Sequence, residues 1–138
     1  MRILTVNVHY APESFGGATI VAEEVTRQLA ARGHETYVVT GTTDGSLPIA
    51  GLHRYQDAVT PVLAMGRPLP ASPSEEYSQP GLADRFDQIL DSVRPDVVHF
   101  HAMQALGVEM VQRSLARVPT VVTLHDASTI AAVIVEPM

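Results

Sequence analysis

The chain has 138 residues, of which 46% are hydrophobic, and this size and composition fit one compact domain with its own core. Its net charge of −6 gives no basic surface of the kind that nucleic-acid-binding proteins use, and the lack of cysteine excludes disulfides and thiolate chemistry. No cleavage site follows Met1, and no apolar run approaches the ~20 residues of a membrane helix. We therefore expect a cytoplasmic protein with no nucleic-acid partner and no integral membrane segment.

The first elements in chain order are a buried strand, a helix and a second strand. Residues 3–8 (ILTVNV) are almost wholly apolar, which is typical of a strand covered on both faces of a parallel sheet. From Ala18 onward apolar residues recur at helical spacing, and Gly33 supplies a C-terminal stop. Residues 35–41 (ETYVVTG) predict the next strand, so the first 41 residues form a right-handed strand-helix-strand crossover.

The rest of the chain continues the alternation after a less regular middle. A short strand is expected at residues 52–55, whereas residues 57–81 contain five prolines and predict a long irregular loop. A helix ending at Pro95, the strand DVVHFH (96–101), a helix with apolar residues between 106 and 115, and the strand PTVVTLHD (119–126) follow. This alternation predicts an α/β fold, a doubly wound, Rossmann-like parallel sheet with strand order 3-2-1-4-5.

Histidines end three strands that this order makes neighbours. His9 ends the first strand, the HFH segment with His101 ends the fourth, and His125 ends the fifth. Ligands of such sheets bind at the carboxyl ends of the strands where the winding reverses, so these three imidazoles predict a polar ligand pocket. Imidazole suits sugar hydroxyls or phosphate oxygens and can transfer protons. A metal site on the HFH pair is disfavoured because no thiolate or carboxylate pair accompanies it, and His34 and His53 are interpreted as ordinary surface residues.

Gly16 and Gly17 lie where the first strand passes into the first helix. A helix N-terminus leaves N–H groups unpaired and favours an anion, and glycine lets a phosphate approach the backbone closely. An ordinary turn is the alternative. The spacing fits neither the P-loop nor the dinucleotide-binding fingerprint, so Asp44 has little weight as a ribose-binding acid. The pair therefore predicts an anion-binding turn outside both of those classes.

Three segments together resemble the N-terminal domain of family 4 glycosyltransferases, the N-terminal half of a GT-B fold. They are RILTVNVHYAPESFGGATIVAEEVTRQLAARGHETYVVT, PDVVHFHAMQALGVEMV and VPTVVTLHD, which match in order and spacing over about residues 1–126. The resemblance implies a retaining, hexosyltransferase-type enzyme of glycan biosynthesis that moves a sugar from a nucleotide-sugar donor, UDP- or GDP-linked, to an acceptor hydroxyl. It implies no metal and no other cofactor, and it assigns this half mainly to the acceptor.

The same resemblance implies roles for individual residues. Gly16 and Gly17 match the glycine loop whose backbone N–H groups meet the donor diphosphate. His125 matches the histidine that contacts the transferring sugar, which makes it the candidate catalytic residue. The positions expected to contact acceptor or sugar are His9, Tyr10, His101 and Asp126.

The C-terminal part departs from the family pattern. The family's C-terminal domain is missing from the chain, so we expect that domain as a partner, the isolated chain to be inactive, and self-association through an exposed apolar edge. Residues 127–138 form an atypical tail, in which IAAVIVEPM resembles a strand segment of class III pyridoxal-phosphate aminotransferases. Two alternatives stay open: a stand-alone Rossmann-like module that binds a ligand or partner without catalysis, and a GT-B nucleotide-sugar epimerase. Peripheral membrane attachment of a full-length enzyme also stays open.

Overall fold

The computed structural model describes residues 1–125, so Asp126 and the predicted tail 127–138 lie outside the described residues. The described part alternates strands and helices, as the hydrophobic pattern predicts. Its elements are β1 (Arg2–Val6), α1 (Gly17–Ala31), β2 (Glu35–Thr42), β3 (Leu52–Asp57), β4 (Thr60–Gly66), α2 (Pro73–Tyr77), α3 (Pro80–Val93), β5 (Val97–Phe100), α4 (Glu109–Leu115) and β6 (Thr120–Val122). None of the helices within residues 1–125 is long and apolar enough to cross a membrane.

The strands form one sheet in the order β3-β4-β2-β1-β5-β6, and every neighbouring pair is parallel except β3 with β4. Val6 at the end of β1 lies opposite Val39 of β2 and Phe100 of β5, so the winding reverses between β1 and β5. The doubly wound, Rossmann-like α/β fold is confirmed. It places the ends of β1, β2, β4 and β5 at one edge of the sheet, where a ligand is expected.

The outer part of the predicted order is wrong, because an unpredicted strand lies beside β2. That strand is β4, and β3 pairs with it as an antiparallel hairpin rather than with β2. Residues 57–81 are therefore not one irregular loop. The prolines concealed this strand, yet Pro61 is compatible with it because the parallel ladder to β2 begins only at Val62.

One face of the sheet carries the main hydrophobic core. Helix α3 buries the predicted stripe that includes Leu82 and Phe86, and α4 adds Met110. The Phe86 ring lies 5.9 Å from the ring of Phe100 on β5, between centroids, and both side chains are fully buried. Burying each such side chain stabilises the fold by about 1.5–3 kcal/mol, so this face supplies much of the stability.

Helix α1 covers the other face with a more polar surface than the sequence pattern predicts. It buries Thr19, Ala22, Glu23 and Thr26, whereas Val21, one of the predicted apolar positions, is 41% exposed. The opposing strand explains the difference, because β1 and the residues after it present polar Thr5 and Asn7 to this helix. The predicted stop is confirmed: Gly33 has a φ of 92° and its N–H donates to the Ala30 carbonyl.

Candidate functional site

The loop between β1 and α1 is fixed by hydrogen bonds from three different elements. The Asn7 amide donates to the His9 carbonyl at 2.6 Å, and the Thr19 hydroxyl donates to the Phe15 carbonyl at 2.6 Å. The Tyr55 hydroxyl, which reaches across from β3, donates to the Ala11 carbonyl at 2.7 Å. The loop is therefore held in one conformation by β1, by α1 and by the hairpin that the sequence did not predict.

A series of polar and charged side chains also connects the loop to α1 and to the hairpin. The Ser14 hydroxyl donates to the carboxylate of Glu23, a buried residue of α1. Arg27, one turn further along α1, lies 3.9 Å from Glu23 and 3.2 Å from the carboxylate of Asp57 in the hairpin. The loop, the helix and the hairpin thus form one connected polar network beside the glycine pair.

The glycine pair opens onto free space. Gly16 has φ 84° and ψ 165°, a combination that only glycine adopts readily. A β-carbon added at Gly16 or Gly17 would meet nothing within 4 Å. Gly16 caps α1 without a side-chain hydrogen bond, and the first turn of α1 contains no acidic residue. The positive end of the α1 dipole therefore faces open space without a carboxylate of its own helix.

A cavity of about 680 Å³ lies next to this loop, between the end of β2 and the hairpin of β3 and β4. This volume is within the range of small-molecule sites. Its wall combines aromatic rings, hydroxyls and carboxylates, which suits a polyhydroxylated ligand. The side chains with hydrogen-bonding groups include His9, Tyr10, Glu13, Asp44, His53 and Tyr55.

The two predicted residues in this wall are held without charge. Tyr10 is only 2% exposed, and burial raises the pKa of its hydroxyl to about 12. Burial also lowers the pKa of His9, and the nearby Arg67 cation lowers it further. The His9 ring packs edge-on against Phe15, with 5.4 Å between the ring centroids. At neutral pH the His9 imidazole offers an uncharged hydrogen-bonding group to the cavity, whereas the Tyr10 hydroxyl is buried away from it.

A row of imidazoles lies on the neighbouring strands β5 and β6. The His101 ring is 4.1 Å from that of His99 and 5.2 Å from that of His125, between centroids. His101 Nδ1 lies 2.9 Å from His125 Nε2, and His99 Nε2 lies 2.6 Å from the Thr123 hydroxyl. His99 on β5 and His101 just after it are two residues apart and share a face, and His125, three residues after the end of β6, meets them from the neighbouring segment.

His101 is buried while His125 is exposed. His101 has 1% of its surface accessible, and its Nε2 has no hydrogen-bond partner within residues 1–125. Burial, together with His99 and His125, lowers the pKa of His101 to about 4. His101 is therefore neutral at physiological pH, and its hydrogen bond through Nδ1 orients the exposed ring of His125.

The structure brings some of the predicted residues together and separates others. His101 and His125 are in contact as expected at the carboxyl ends of adjacent strands, whereas His9 lies against Phe15 and the cavity. Asp126 lies outside the described residues. In the part of the chain that the structure describes, no group of three or more His, Cys, Asp or Glu residues could hold a metal ion. The expected role of each site residue stays a prediction.

Sequence reasoning missed most of the cavity wall. His53 is exposed, as its interpretation as a surface residue requires, but it also stacks on Tyr55 with 5.8 Å between centroids, and both line the cavity. Their spacing of two residues on a short strand was the available signal, because it puts both rings on one face. Asp44 also lines the cavity, although no glycine fingerprint marked it.

No curated protein matches the chain. Among solved structures, the chain is similar to "Trehalose-6-phosphate from E. coli bound with UDP-2-fluoro glucose", with 15% identity and a TM-score of 0.39. That alignment covers 72% of this chain and 27% of the other, so the chain spans about a quarter of that protein's length.

The family comparison extends over most of the chain. Nothing supports the resemblance of the C-terminal residues to class III aminotransferases. The sequence model of the family described as "Glycosyltransferase Family 4" matches residues 15–133, which include the glycine pair, the hairpin and the row of histidines. The chain therefore belongs to glycosyltransferase family 4.

Proposed function

We propose that this chain supplies the acceptor side and the diphosphate-binding glycine loop of a retaining hexosyltransferase. The donor is a UDP- or GDP-linked sugar, and the acceptor is a hydroxyl compound. Family membership supports glycosyl transfer in general. The observation that carries the finer proposal is the open turn at Gly16 and Gly17, at the positive end of α1.

Gly17 is the more informative of the two glycines. Gly16 is explained by its own backbone, since its φ of 84° requires glycine. Gly17 has no such constraint and no neighbour within 4 Å that a side chain would strike. Internal packing therefore does not account for glycine at this position, whereas close approach of a phosphate to the backbone does. N–H groups aimed at the diphosphate would stabilise the negative charge that develops on it as it leaves.

His125 and the cavity complete the proposed arrangement. His125 presents an exposed ring whose other side is held by neutral His101 at 2.9 Å, so it can donate to or accept from a sugar hydroxyl in a fixed orientation. His9 and Tyr10 lie in the wall of the cavity, where the His9 imidazole and the carboxylates of Glu13 and Asp44 would meet the hydroxyls of the acceptor. Retention of configuration and the absence of a metal are part of the proposal.

The glycine loop can be tested by following backbone amides during titration with UDP and GDP by NMR. We expect the largest shifts at residues 16–19 with the preferred nucleotide, and we expect Gly17→Val to weaken binding about tenfold or more, as loss of charge-assisted hydrogen bonds would. Gly81→Val is a matched control, because Gly81 also begins a helix and has open space around it. Shifts elsewhere, no shifts at millimolar nucleotide, or equal binding by both variants would contradict the loop assignment.

Turnover is a separate test. We expect no enzyme-like release of nucleotide when the 138-residue chain alone is incubated with UDP- and GDP-sugars and simple hydroxyl acceptors. A cleft with two walls is needed to orient both substrates, and orientation accounts for a large share of enzymatic rates. Sustained release at rates typical of enzymes would show this expectation to be wrong.

A further inference from the structure

Arg67 follows the last residue of β4 and is half-buried at the sheet edge where the glycine loop also lies. Its side chain lies flat across Gly41 at the end of β2. A β-carbon at Gly41 would be 2.8 Å from Arg67 Cδ, 3.0 Å from Arg67 Nε and 3.1 Å from a methyl group of Leu106. The Arg67 backbone N–H also donates to the Thr42 carbonyl at 2.9 Å. Glycine at position 41 therefore makes the space in which the Arg67 side chain is held.

The guanidinium of Arg67 has no carboxylate beside it within the described residues. Other partly buried arginines are satisfied: Arg2 and Arg113 pair with carboxylates, and Arg85 donates to the Ala50 carbonyl and to Gln88. In Arg67, Nη1 donates to the Pro68 carbonyl at 3.3 Å, and the buried Nε has no partner in residues 1–125. Burial lowers the pKa of Arg67, yet a guanidinium stays charged at any physiological pH.

Taking a cation partly out of water without a counter-charge has a cost, and proteins of net negative charge have carboxylates in excess to pair with it. This chain has 15 acidic and 9 basic residues, not counting histidine, and still leaves Arg67 unpaired among the described residues. The five donors of a guanidinium match the oxygens of a phosphate or carboxylate in a forked geometry. The missing counter-charge is therefore best supplied by a ligand.

Arg67 is attached to a different strand from the donor loop. Strand β2 lies between β4 and β1, so the backbone at the end of β4 is about 10 Å from that at the end of β1, and the Arg67 side chain extends over Gly41 of β2 between them. Arg67 is close enough to His9 to lower the pKa of that imidazole, and His9 lines the cavity. Glu13 and Asp44 also line this cavity and would repel an anion from its centre. Arg67 is not one of the residues that line the cavity, so a ligand that reaches both needs a neutral polyol body in the cavity and one anionic end that extends past it to Arg67.

We propose that Arg67, held over Gly41, binds a phosphate or carboxylate group carried by the acceptor. The inference rests on the proposed function, because that function assigns the acceptor to the adjacent cavity. It adds that the acceptor is an anionic sugar or polyol rather than a neutral one. The anion-binding side chain is a specificity determinant and takes no part in bond making or breaking.

Three probes with one ring test the proposal on the 138-residue chain: glucose, glucuronate and glucose 6-phosphate, which differ only at the sixth carbon. Binding is followed at the backbone amides of Gly41, Thr42 and Arg67 by NMR titration. We expect one of the two anionic probes to shift these amides and glucose to shift them far less. Whichever of glucuronate and glucose 6-phosphate binds more tightly identifies the group that Arg67 prefers, a carboxylate or a phosphate. Equal midpoints for glucose and both anions would overturn the proposal.

Substitution then tests the residue. Arg67→Gln should weaken the preferred anion about tenfold to a hundredfold, whereas Arg54→Gln, the same change at an exposed arginine on β3, should leave the midpoint within about twofold. Arg67→Lys keeps the positive charge but loses the forked N–H donors of the guanidinium, so it should bind the anion severalfold more weakly than the wild type. If Arg67→Gln does not fold, Arg67→Lys is measured in its place. Unchanged affinity in the folded Arg67 variants would overturn the proposal.

Titration with UDP separates this proposal from the function on which it rests. UDP shifts at residues 16–19 that persist in Arg67→Gln support the donor loop whatever the sugar probes show. If instead Arg67→Gln abolishes UDP binding, then Arg67 serves the donor and the acceptor proposal is wrong.

Discussion

The two faces of the sheet differ in what they bury, and the difference separates stability from positioning. The face under α3 and α4 is a continuous apolar core around Phe86 and Phe100. The face under α1 is polar at its centre, where the Thr26 hydroxyl donates to Thr5 at 3.2 Å and the Asn7 amide to Thr19 at 3.0 Å. Dispersion and hydrophobic burial tolerate small shifts, whereas hydrogen bonds fix atoms in place. The candidate site is built over the polar face.

The largest expected effect is on the apolar face. Phe86→Ala should lower the free energy of unfolding by about 3–5 kcal/mol, because it removes a fully buried ring and leaves a cavity. Phe15→Ala deletes the same ring where it is 74% exposed and should cost less than about 1 kcal/mol. Urea denaturation followed by circular dichroism measures both. Similar losses in the two variants would mean that the core is not the main source of stability.

The next effect is a loss of stability in acid. The pKa of His101 in the folded chain is about 4, below its ordinary value of 6.5, so the unfolded chain binds the proton more readily. The free energy of unfolding is therefore unaffected by this group above pH 6.5. It decreases as the pH falls from 6.5 toward 4, by up to about 1.4 kcal/mol per pH unit for this one proton. Denaturation at a series of pH values measures the slope, and NMR measures the titration of the His101 ring. A His101 midpoint at or above 6.5 would refute the prediction.

On the polar face, Asn7→Ala should cost about 1–3 kcal/mol, because three buried or half-buried groups lose a partner. Asn7 donates to the His9 carbonyl and to Thr19, and it accepts from the Ala102 N–H at 2.9 Å. We also expect amide shifts in residues 9–16, which a purely stabilising side chain would not produce. Gln28→Ala removes an amide from the exposed side of α1 and serves as the control. An unmoved loop in Asn7→Ala would weaken the link between this face and positioning.

The smallest effect is expected for Thr26→Val, which removes one hydroxyl and keeps the shape. The Thr26 hydroxyl is fully buried and lies 2.7 Å from the Ala22 carbonyl and 3.2 Å from the Thr5 hydroxyl, so the two acceptors share its single proton. The carbonyl of Ala22 keeps its helical hydrogen bond, so the change in the free energy of unfolding should be within about 1 kcal/mol. A loss above about 2 kcal/mol by denaturation would show that the threonines act as a cooperative network.

Local pattern was sufficient to predict the centre of the sheet and the edge at which ligands bind. Three of these predictions depend only on residues that are close together in the chain. They are the apolar strand ILTVNV, the buried helical stripe with Leu82 and Phe86, and the helix end at Gly33. The HFH segment and His125 were expected at neighbouring strand ends, and His101 and His125 are in contact. Such predictions succeed because strand order follows from crossover rules.

What the sequence did not reveal depends on contacts between distant residues. Strand β4 contains Pro61 and lies among further prolines, so its pattern resembles a loop until it pairs with both β2 and β3. Tyr55 contacts Ala11 from 44 positions away, and only the three-dimensional arrangement shows that the buried Nε of Arg67 has no hydrogen-bond partner among residues 1–125. Helix α1 buries Thr19 and Thr26 and leaves Val21 exposed. This too depends on distant residues, because Thr5 of β1 and Asn7 just after it hydrogen-bond to the two threonines.

The two attachments between the hairpin and the rest of the site have different sensitivities to ionic strength. Arg27, which is 45% exposed through its side chain, meets Asp57 through an ion pair, and salt screens such pairs strongly. The bond from the Tyr55 hydroxyl to the Ala11 carbonyl joins two neutral groups and is insensitive to salt. Rising salt concentration therefore loosens the hairpin from α1 and leaves it attached to the loop, so the hairpin and the loop respond to salt as a single unit.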